Sequence, residues 1–385
     1  MAVAVAPSPA PSRLDLDSRP ILVFWETTRA CGLACRHCRA SAIAEPLPGE
    51  LTGPEAEAFL DSLAGFGTPS PVLIATGGDV LERRDLDALL ARAAGLKVPV
   101  ALAPSVTPLL SDERCAALHR AGIKVASISL DGATAATHEG VRGIADHFEA
   151  TLAAIRRLRR HGITVQVNTV VMRDTAEELP AIARLLTEAG ASIWELFFLI
   201  QVGRGSTLGE LTPAENEDVC HFLYDASRHG FIVRAVEAPF FRRVVAWREE
   251  EPEASQAEVA ARFGLGPLYE RLAAGLRHEL GPPTSASRAQ TKGTRDGKGI
   301  LFVGHDGEIQ PSGFLPFALG NVRQDDIVQV YRDHPLLRSI RAAEFAGRCG
   351  RCSYRELCGG SRARAYAASG DALGEDPACA YQPEG

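Results

Sequence analysis

The sequence predicts an α/β fold, either a parallel barrel or an open doubly wound sheet. Six short apolar runs alternate with longer helical patterns between residues 21 and 200, and such runs are typical of parallel strands buried on both faces. Strands that alternate with helices in regular order build a parallel sheet. In chain order, the runs are ILVFWETT, VLIATGG, VPVALAPS, VASISLDG, TVQVNTVV and SIWELFFLI.

The elements around these strands carry their own boundary signals. Thr52 and Glu55 have the spacing of a capping box, which predicts a helix start after the first strand. Thr212 and Glu215 predict a second capped helix, followed by the short strand FIVRAVEA and a charged helical stretch to about residue 280. The later run GILFVGHDGEIQ has a His-Asp-Gly turn between two alternating segments, which predicts a hairpin.

Composition narrows the class of protein. The chain has 385 residues and is 46% hydrophobic, enough for a full core and a second, smaller module. Its formal charge of -7 argues against a nucleic-acid binder, which normally has a concentrated basic surface. We find neither an apolar run of membrane-spanning length nor a secretory signal, so we expect a cytoplasmic protein without a membrane partner.

Cysteine spacing indicates metal sites. Cys115 and Cys220 lie within helical patterns, where a lone cysteine is usually a small core residue. The other seven of the nine cysteines are clustered, and in a reducing cytosol clusters point to metals rather than disulfides. They form two groups, one near each end of the chain: Cys31, Cys35 and Cys38, then Cys349, Cys352, Cys358 and Cys379.

The first group lies directly after the first strand, where a barrel has an active-site loop. Three thiolates on one short loop can hold three irons of a four-iron cluster and leave the fourth iron without a protein ligand. An open iron can chelate the amino and carboxylate groups of a methionine moiety. Zinc is the alternative, but it would need a fourth ligand from elsewhere, and His37 is poorly placed to supply one.

With these surroundings, the loop resembles the radical S-adenosylmethionine (SAM) superfamily, whose signature is CxxxCxxC after the first barrel strand. The resemblance implies a partial (β/α)6 TIM-like barrel, a SAM-binding 4Fe-4S cluster and SAM itself. It also implies that Gly77, Gly78 and Asp79 form the Gly-Gly-Glu-type motif that receives the SAM amino group. Here aspartate replaces the usual glutamate, and Val80 replaces the usual proline.

The resemblance implies further SAM contacts along the barrel. Ser129 corresponds to a serine that reaches the SAM ribose, and Arg142 to an arginine that binds the methionine carboxylate. Asn168 corresponds to the position that contacts the nucleoside, and Leu199 begins the segment to Gly205 that lines the adenine. For Ser129, a strand hydroxyl bonded to its neighbours is an equally weighted alternative.

The C-terminal group of cysteines is similar to the SPASM domain, the auxiliary-cluster module of radical SAM peptide maturases such as those of pyrroloquinoline quinone and mycofactocin. Ser312 and Ser361 stand where the full two-cluster module has cysteines. The remaining four therefore imply one auxiliary 4Fe-4S cluster, as in the haem-pathway radical SAM enzymes, with a four-cysteine zinc knuckle as the alternative.

These expectations divide the chain into four parts. We expect a disordered leader at 1–18, a radical SAM partial barrel at 19–236, and a helical linker with a mobile loop at 237–298. We assign 299–385 to a small, cysteine-rich auxiliary-cluster module.

The expected function is reductive cleavage of SAM to a 5′-deoxyadenosyl radical, followed by hydrogen abstraction from a substrate. A ribosomal peptide or a peptide-derived cofactor precursor is the favoured substrate, and a flavodoxin or ferredoxin is the expected electron donor. The alternatives are oxidative decarboxylation of a tetrapyrrole side chain and a non-catalytic iron–sulfur or zinc scaffold. No residue is assigned as a catalytic acid or base.

Overall fold

The computed structural model describes residues 15–291 and 293–383, so most of the expected leader lies outside the described residues. Within that range the strands are β1 Leu22–Glu26, β2 Val72–Thr76, β3 Val100–Leu102, β4 Val125–Ser129, β5 Thr164–Val171, β6 Ile193–Phe198, β7 Ile232–Val236, β8 Arg295–Asp296, β9 Gly299–Val303, β10 Glu308–Gln310 and β11 Gly320–Asn321.

Helices cover one face of these strands and connect them. They are α1 Gly53–Leu63, α2 Leu86–Gly95, α3 Asp112–Arg120, α4 Ala135–Arg142, α5 His147–Arg160, α6 Leu179–Ala189, α7 Pro213–Ala226, α8 Phe241–Glu250, α9 Gln256–Phe263, α10 Pro267–Leu280, α11 Ile327–Asp333, α12 Pro335–Arg341, α13 Gly347–Arg351 and α14 Arg362–Ser369. The predicted capping boxes at Thr52 and Thr212 open α1 and α7.

The strands form one sheet in the order β11-β10-β9-β1-β2-β3-β4-β5-β6-β7. Strands β1 to β7 follow each other in sequence order and pair in parallel. The predicted α/β fold with a parallel sheet is confirmed, and the arrangement is that of a partial barrel. All carboxyl ends of β1 to β7 therefore lie at one edge, where such folds carry their chemistry.

The strands bury their apolar side chains against the helices. Ile128, Val167 and Trp194 are fully buried in one hydrophobic core with the inner faces of the helices. Cys115 and Cys220 are also fully buried in this core, which confirms the prediction that they are packing residues.

The opposite, concave face of the sheet is polar, because alternate residues of each strand point to opposite faces. Ser127, Gln166 and Glu195 meet there: Gln166 Nε2 donates to Ser127 Oγ (3.2 Å) and to Glu195 Oε2 (2.8 Å). Arg234 of β7 joins this network by donating to Gln166 Oε1 (3.2 Å). The barrel interior thus holds a hydrogen-bonded band across four neighbouring strands.

The last part of the chain returns to the start of the barrel. Strand β9 pairs in parallel with β1, with Val23 opposite Leu301, and turns at His305–Gly307 into antiparallel β10. The predicted hairpin is confirmed. Among the described residues, no helix is both long and apolar enough to cross a membrane.

Candidate active site

The loop that follows β1 brings three of the cysteines together. Cys31 and Cys35 are buried and Cys38 is half-buried, and all three belong to one small cluster with Leu33 and Ala42. The loop lies at the carboxyl edge of the sheet, where the sequence predicted the active site. The three sulfurs therefore occupy the position expected of cluster ligands.

Each of these sulfurs accepts a hydrogen bond. The backbone N–H of Leu33 donates to the first sulfur and that of Ala42 to the third, both at 3.4 Å. Arg142 Nη1 lies 3.6 Å from Cys35 Sγ and donates to it. Donors of this kind stabilise negative charge on cysteine sulfur and tune iron–sulfur clusters. The residues present therefore fit a cluster held by three thiolates.

Gly77 and Gly78 pack the end of β2 against the start of the cysteine loop. A β-carbon at Gly78 would lie 2.2 Å from the carbonyl oxygen of Ala30, and one at Gly77 would lie 2.5 Å from that of Thr28. Gly77 also has φ +142°, a conformation that side chains disfavour. The glycine pair is required here because two backbones approach each other closely.

The Asp79 side chain is fully buried and occupied by its own chain. Its carboxylate accepts hydrogen bonds from the N–H of Leu81 (3.1 Å), the N–H of Ser105 (3.2 Å) and the hydroxyl of Thr107 (2.9 Å). Ser105 in turn lies 3.5 Å from Cys31 Sγ. The structure thus places Asp79 as an anchor that holds the loop after β3 beside the cysteine loop.

Arg142 lies in a buried charged group next to Cys35. Its guanidinium forms an ion pair with Asp131, which is fully buried, and Asp131 also lies 3.6 Å from His37 Nε2. Burial alone would raise the pKa of Asp131, but Arg142 and His37 lower it below its usual range. Burial lowers the pKa of His37 to about 4. Arg142 therefore connects a buried carboxylate to one of the three sulfurs.

Arg204 holds the cysteine loop from the other side, and sequence reasoning missed this role. Arg204 Nε donates to the carbonyl of Cys35 and Nη1 to the carbonyl of Ala42, both at 2.9 Å. A β-carbon at the preceding Gly203 would lie 2.3 Å from the carbonyl oxygen of Arg39. An arginine between two glycines after the sixth strand was the available signal, although we assigned this segment to adenine.

The other predicted SAM-contacting residues lie along the same edge. Ser129 and Asn168 are direct neighbours in the β4–β5 pairing, and both are partly exposed. Asn168 Oδ1 accepts a hydrogen bond from Gln166 (2.9 Å). Leu199 is buried against Val141. Ser129 and Asn168 thus lie side by side on β4 and β5, and Leu199 lies beside the cysteine loop, because a β-carbon at Gly205 would contact both Leu199 and His37.

The C-terminal cysteines surround a separate space. Among the described residues, no three His, Cys, Asp or Glu side chains converge as they would around a single metal ion. Instead, one cavity of roughly 430 Å³, including its open mouth, is lined by all four sulfur-bearing side chains. These are Cys349, Cys352, Cys358 and Cys379. A space of this kind suits a cluster of several irons.

Backbone groups are aimed at these sulfurs too. The N–H groups of Asp376, Tyr354 and Gly360 donate to the sulfurs of Cys349 (3.4 Å), Cys352 (3.4 Å) and Cys358 (3.5 Å), respectively. A β-carbon at Gly360 would lie 3.0 Å from a neighbouring sulfur, so glycine leaves that sulfur room. The geometry fits a second cluster.

The positive charge of Arg243 favours the thiolate form of two cysteines at this second site. Burial raises the pKa of Cys358 to about 11 and that of Cys379 to about 12. Arg243 acts against both shifts. A metal deprotonates thiols that it binds, so iron would supply the remaining stabilisation.

The two serines that replace cysteines lie near buried carboxyl groups, which sequence reasoning also missed. The Ser361 hydroxyl donates to Glu237 Oε2, and Ser312 lowers the pKa of Asp296. Both carboxyl groups are nearly inaccessible, at 7% exposure each. No spacing in the sequence relates Glu237 to Ser361, because they meet only through the fold.

Comparisons with known proteins agree with this geometry. The Radical SAM superfamily profile matches residues 25–186. The chain is 36% identical to an AdoMet-dependent heme synthase of Oleidesulfovibrio alaskensis over 94% of this chain and 87% of that protein. It is 27% identical to the mycofactocin maturase MftC of Mycobacterium ulcerans over 94% of this chain and 88% of that protein.

A solved structure shares the fold. Streptococcus suis SuiB, solved bound to the precursor peptide SuiA, matches 94% of this chain and 76% of its own at a TM-score of 0.67 and 14% identity. Fold, site and relatives together define an enzyme that uses SAM and a 4Fe-4S cluster. The chain belongs to the radical SAM superfamily. The non-catalytic scaffold alternative is therefore set aside.

Proposed function

We propose that this enzyme oxidatively decarboxylates a propionate side chain of a tetrapyrrole. The observation that carries the proposal is the 36% identity to a heme synthase along almost the whole chain. The similarity to the mycofactocin maturase covers the same share of the chain at only 27%. The peptide substrate that we expected from sequence thus becomes the second candidate.

In this proposal Cys31, Cys35 and Cys38 hold the SAM-binding cluster. When bound and reduced by a flavodoxin- or ferredoxin-class donor, that cluster supplies the electron that cleaves SAM into methionine and a 5′-deoxyadenosyl radical. Leu33, Ala42 and Arg142 stabilise its thiolates through the hydrogen bonds described above. The four C-terminal cysteines hold the second cluster.

The SAM contacts are divided between two kinds of residue. We assign Gly77, Gly78, Ser129, Asn168 and Leu199 to direct contact with SAM, because they line the carboxyl edge beside the cysteine loop. The Asp79 and Arg142 side chains already have partners within the chain. In this proposal both hold the loop and its sulfurs, and direct contact of either side chain with SAM stays a prediction.

Arg234, a cation on the concave face of the sheet, favours the proposal of a substrate that carries a carboxylate. Arg234 donates to Gln290 Oε1 from Nε (2.9 Å) and Nη2 (2.7 Å), and among the described residues no carboxylate forms an ion pair with it. Burial raises the pKa of the neighbouring Glu195, so its carboxyl group compensates the Arg234 charge less. A propionate would give this guanidinium a bidentate partner.

The proposed decarboxylation conserves atoms and electrons. SAM, once cleaved, would supply a 5′-deoxyadenosyl radical that takes a hydrogen atom from the β-carbon of the propionate and becomes 5′-deoxyadenosine. The bond between the α-carbon and the carboxylate then breaks and releases carbon dioxide. The chain carbons form a vinyl double bond, and the electron left over would need an acceptor, which a cluster held by the four C-terminal cysteines would supply.

The experiment compares coproporphyrin III with its tetramethyl ester, which lacks the carboxylates. We expect the anaerobically reconstituted enzyme to shift the absorbance of the free acid and not that of the ester. Arg234→Gln should weaken binding of the acid by about tenfold or more, because a charge-assisted hydrogen bond contributes about 1.5–3 kcal/mol. Arg156→Gln, at an exposed position on α5, is the matched control.

Equal binding of acid and ester, or full affinity in Arg234→Gln, would refute the role of this guanidinium. A peptide precursor remains the second candidate, because the mycofactocin maturase is also similar over most of the chain. In that case the porphyrin would cause no absorbance shift. SAM cleavage would instead be stimulated by a small peptide encoded beside the enzyme.

A further inference from the structure

The Glu237 carboxyl group lies in a buried polar cluster between the end of β7 and the start of α14. It is 7% exposed, and its Oε2 accepts the Ser361 hydroxyl at 2.5 Å. Glu237 also has φ +60°, in the left-handed region that non-glycine residues rarely adopt. Such strain persists where the surrounding contacts impose it, and it is concentrated at functional sites.

A second carboxyl group shares this cluster. Asp296, at the end of β8, accepts a hydrogen bond from the N–H of Ala363 (3.0 Å), and Ser312 lowers its pKa. Each serine that replaces a cysteine of the two-cluster module thus lies near one of the two carboxyl groups, and Ser361 donates a hydrogen bond to Glu237. The region that would carry cluster ligands in that module carries a pair of buried acids in this chain.

The charges around the pair keep one proton on it. Burial, and then the charge of Asp296, raise the pKa of Glu237 to about 8, and burial also raises the pKa of Asp296. Arg364 and Asp376 face Glu237, with opposite effects, and Arg362 acts on Asp296. Two acids in one buried site cannot both ionise cheaply, so the pair is singly protonated at neutral pH.

Short contacts connect this pair to the C-terminal cysteines and to the barrel. The Ser361 N–H donates to Asp376 Oδ2 (2.8 Å), and the Asp376 N–H donates to Cys349 Sγ (3.4 Å). On the other side, Arg364 donates to the carbonyls of Glu237 (2.7 Å) and Leu199 (3.0 Å). Glu237 therefore lies between the carboxyl edge of the sheet and the second cluster site.

We infer that Glu237 is a positioning residue whose neutral carboxyl group keeps the reduction potential of a cluster at the C-terminal cysteines high enough to accept an electron. A negative charge on buried Glu237, which is connected to Cys349 through Ser361 and Asp376, would oppose the arrival of an electron in a medium of low dielectric constant. Ionisation of Glu237 therefore makes the second cluster a poorer acceptor. This inference rests on the proposed second cluster.

The test is a redox titration of the reconstituted enzyme between pH 7 and pH 10, followed by electron paramagnetic resonance. The signal that SAM leaves unchanged reports the second cluster. An added electron raises the pKa of Glu237 further, so the reduced enzyme keeps a proton that the oxidised enzyme loses above about pH 8. The potential should be flat near pH 7 and then fall, by at most tenfold in equilibrium constant, or 59 mV, per pH unit.

Three variants test whether ionisation of Glu237 causes the fall in potential. Glu237→Gln should give a flat potential up to pH 10, close to the wild-type value at pH 7. Ser361→Ala removes a hydrogen bond that favours the ionised form, so the fall should begin at a higher pH. Glu356→Gln removes an exposed carboxylate near the same cysteines and should titrate like the wild type.

A wild-type potential that stays flat throughout, or a fall that persists in Glu237→Gln, overturns the inference. If Glu237→Gln binds no iron, the Ser361→Ala shift decides. Counting iron per chain shows whether the Glu237 inference fails or the proposed second cluster itself fails. About eight irons per chain are expected for two clusters, and a count near four would refute the second cluster itself.

Discussion

The active-site residues fall into those that spacing identifies and those that only the fold brings together. Cys31, Cys35 and Cys38 stand on one short loop, so their proximity could be predicted from sequence. The partners of Asp79 could not, because Ser105 and Thr107 come from the next strand–helix connection. Side chains that we expected to bind a cofactor can therefore be occupied by distant parts of their own chain.

Gly78 offers a test at this scale. Gly78→Ala would place a methyl group 2.2 Å from the Ala30 carbonyl oxygen, so the cysteine loop must move. We expect a loss of about 1–3 kcal/mol in the free energy of unfolding, in line with other overpacked sites. We also expect a lower iron content after reconstitution.

The matched control is Gly95→Ala at the end of α2, where an added β-carbon meets nothing within 4 Å. That variant should keep its iron and gain about 0.4–1 kcal/mol of stability. Normal iron binding by Gly78→Ala would show that the cysteine loop tolerates displacement.

Among the elements, the six strands and the capped helices could be predicted because their signals are local. The spacing of apolar residues, the apolar runs and the capping boxes can each be read within a few residues of sequence. The contact between α7 and α8 could not be predicted in this way. It depends on Glu217 and Arg243, whose carboxylate and guanidinium form two hydrogen bonds of 2.7 Å each.

This helix contact predicts acid sensitivity. Burial would raise the pKa of Glu217, but the nearby His221 ring (3.7 Å) and the two hydrogen bonds from Arg243 lower it from 4.5 to about 2. Because the folded-state pKa is depressed, the stabilisation is complete above about pH 4.5 and is lost as the pH falls towards 2. The shift corresponds to about 3 kcal/mol.

Urea unfolding of Glu217→Gln should therefore give a free energy about 3 kcal/mol below that of the wild type at pH 7. The difference should shrink at pH 3, because the unfolded wild type (pKa near 4.5) then binds a proton that the folded protein (pKa about 2) largely does not. A difference that is the same at both pH values would mean that packing, not charge, is lost. Glu253→Gln, at an exposed position, serves as the control.

At the scale of the whole molecule, the C-terminal part completes the barrel. Strand β9 covers the free edge of β1, and Leu301 and Val303 share a hydrophobic core with Val23 and Trp25. Sequence analysis predicted the hairpin but not its pairing with β1, because no local pattern specifies which edge a distant strand joins. The sequence boundary that we placed at residue 299 thus coincides with a strand of the common sheet.

A truncated chain ending at Lys298 should therefore fail to form a stable barrel. It would leave the β1 edge unpaired and expose part of that core, and exposed strand edges promote aggregation. We expect aggregation in size-exclusion chromatography and no cooperative thermal transition.

The double variant Cys349→Ser and Cys352→Ser is the control, since it removes two ligands of the proposed second cluster and keeps β9. It should retain a cooperative transition. A well-folded truncated chain would show that β9 is dispensable for the barrel.

The pairing of β9 with β1 also has a consequence for biosynthesis. The ribosome makes β1 among the first elements, whereas β9 emerges only after most of the polypeptide has been translated. Until then the strand that leads into the cysteine loop has a neighbour on one side only. With the cluster ligands as proposed, we therefore expect stable insertion of iron at that loop only after translation, with the nascent polypeptide kept from aggregating in the meantime.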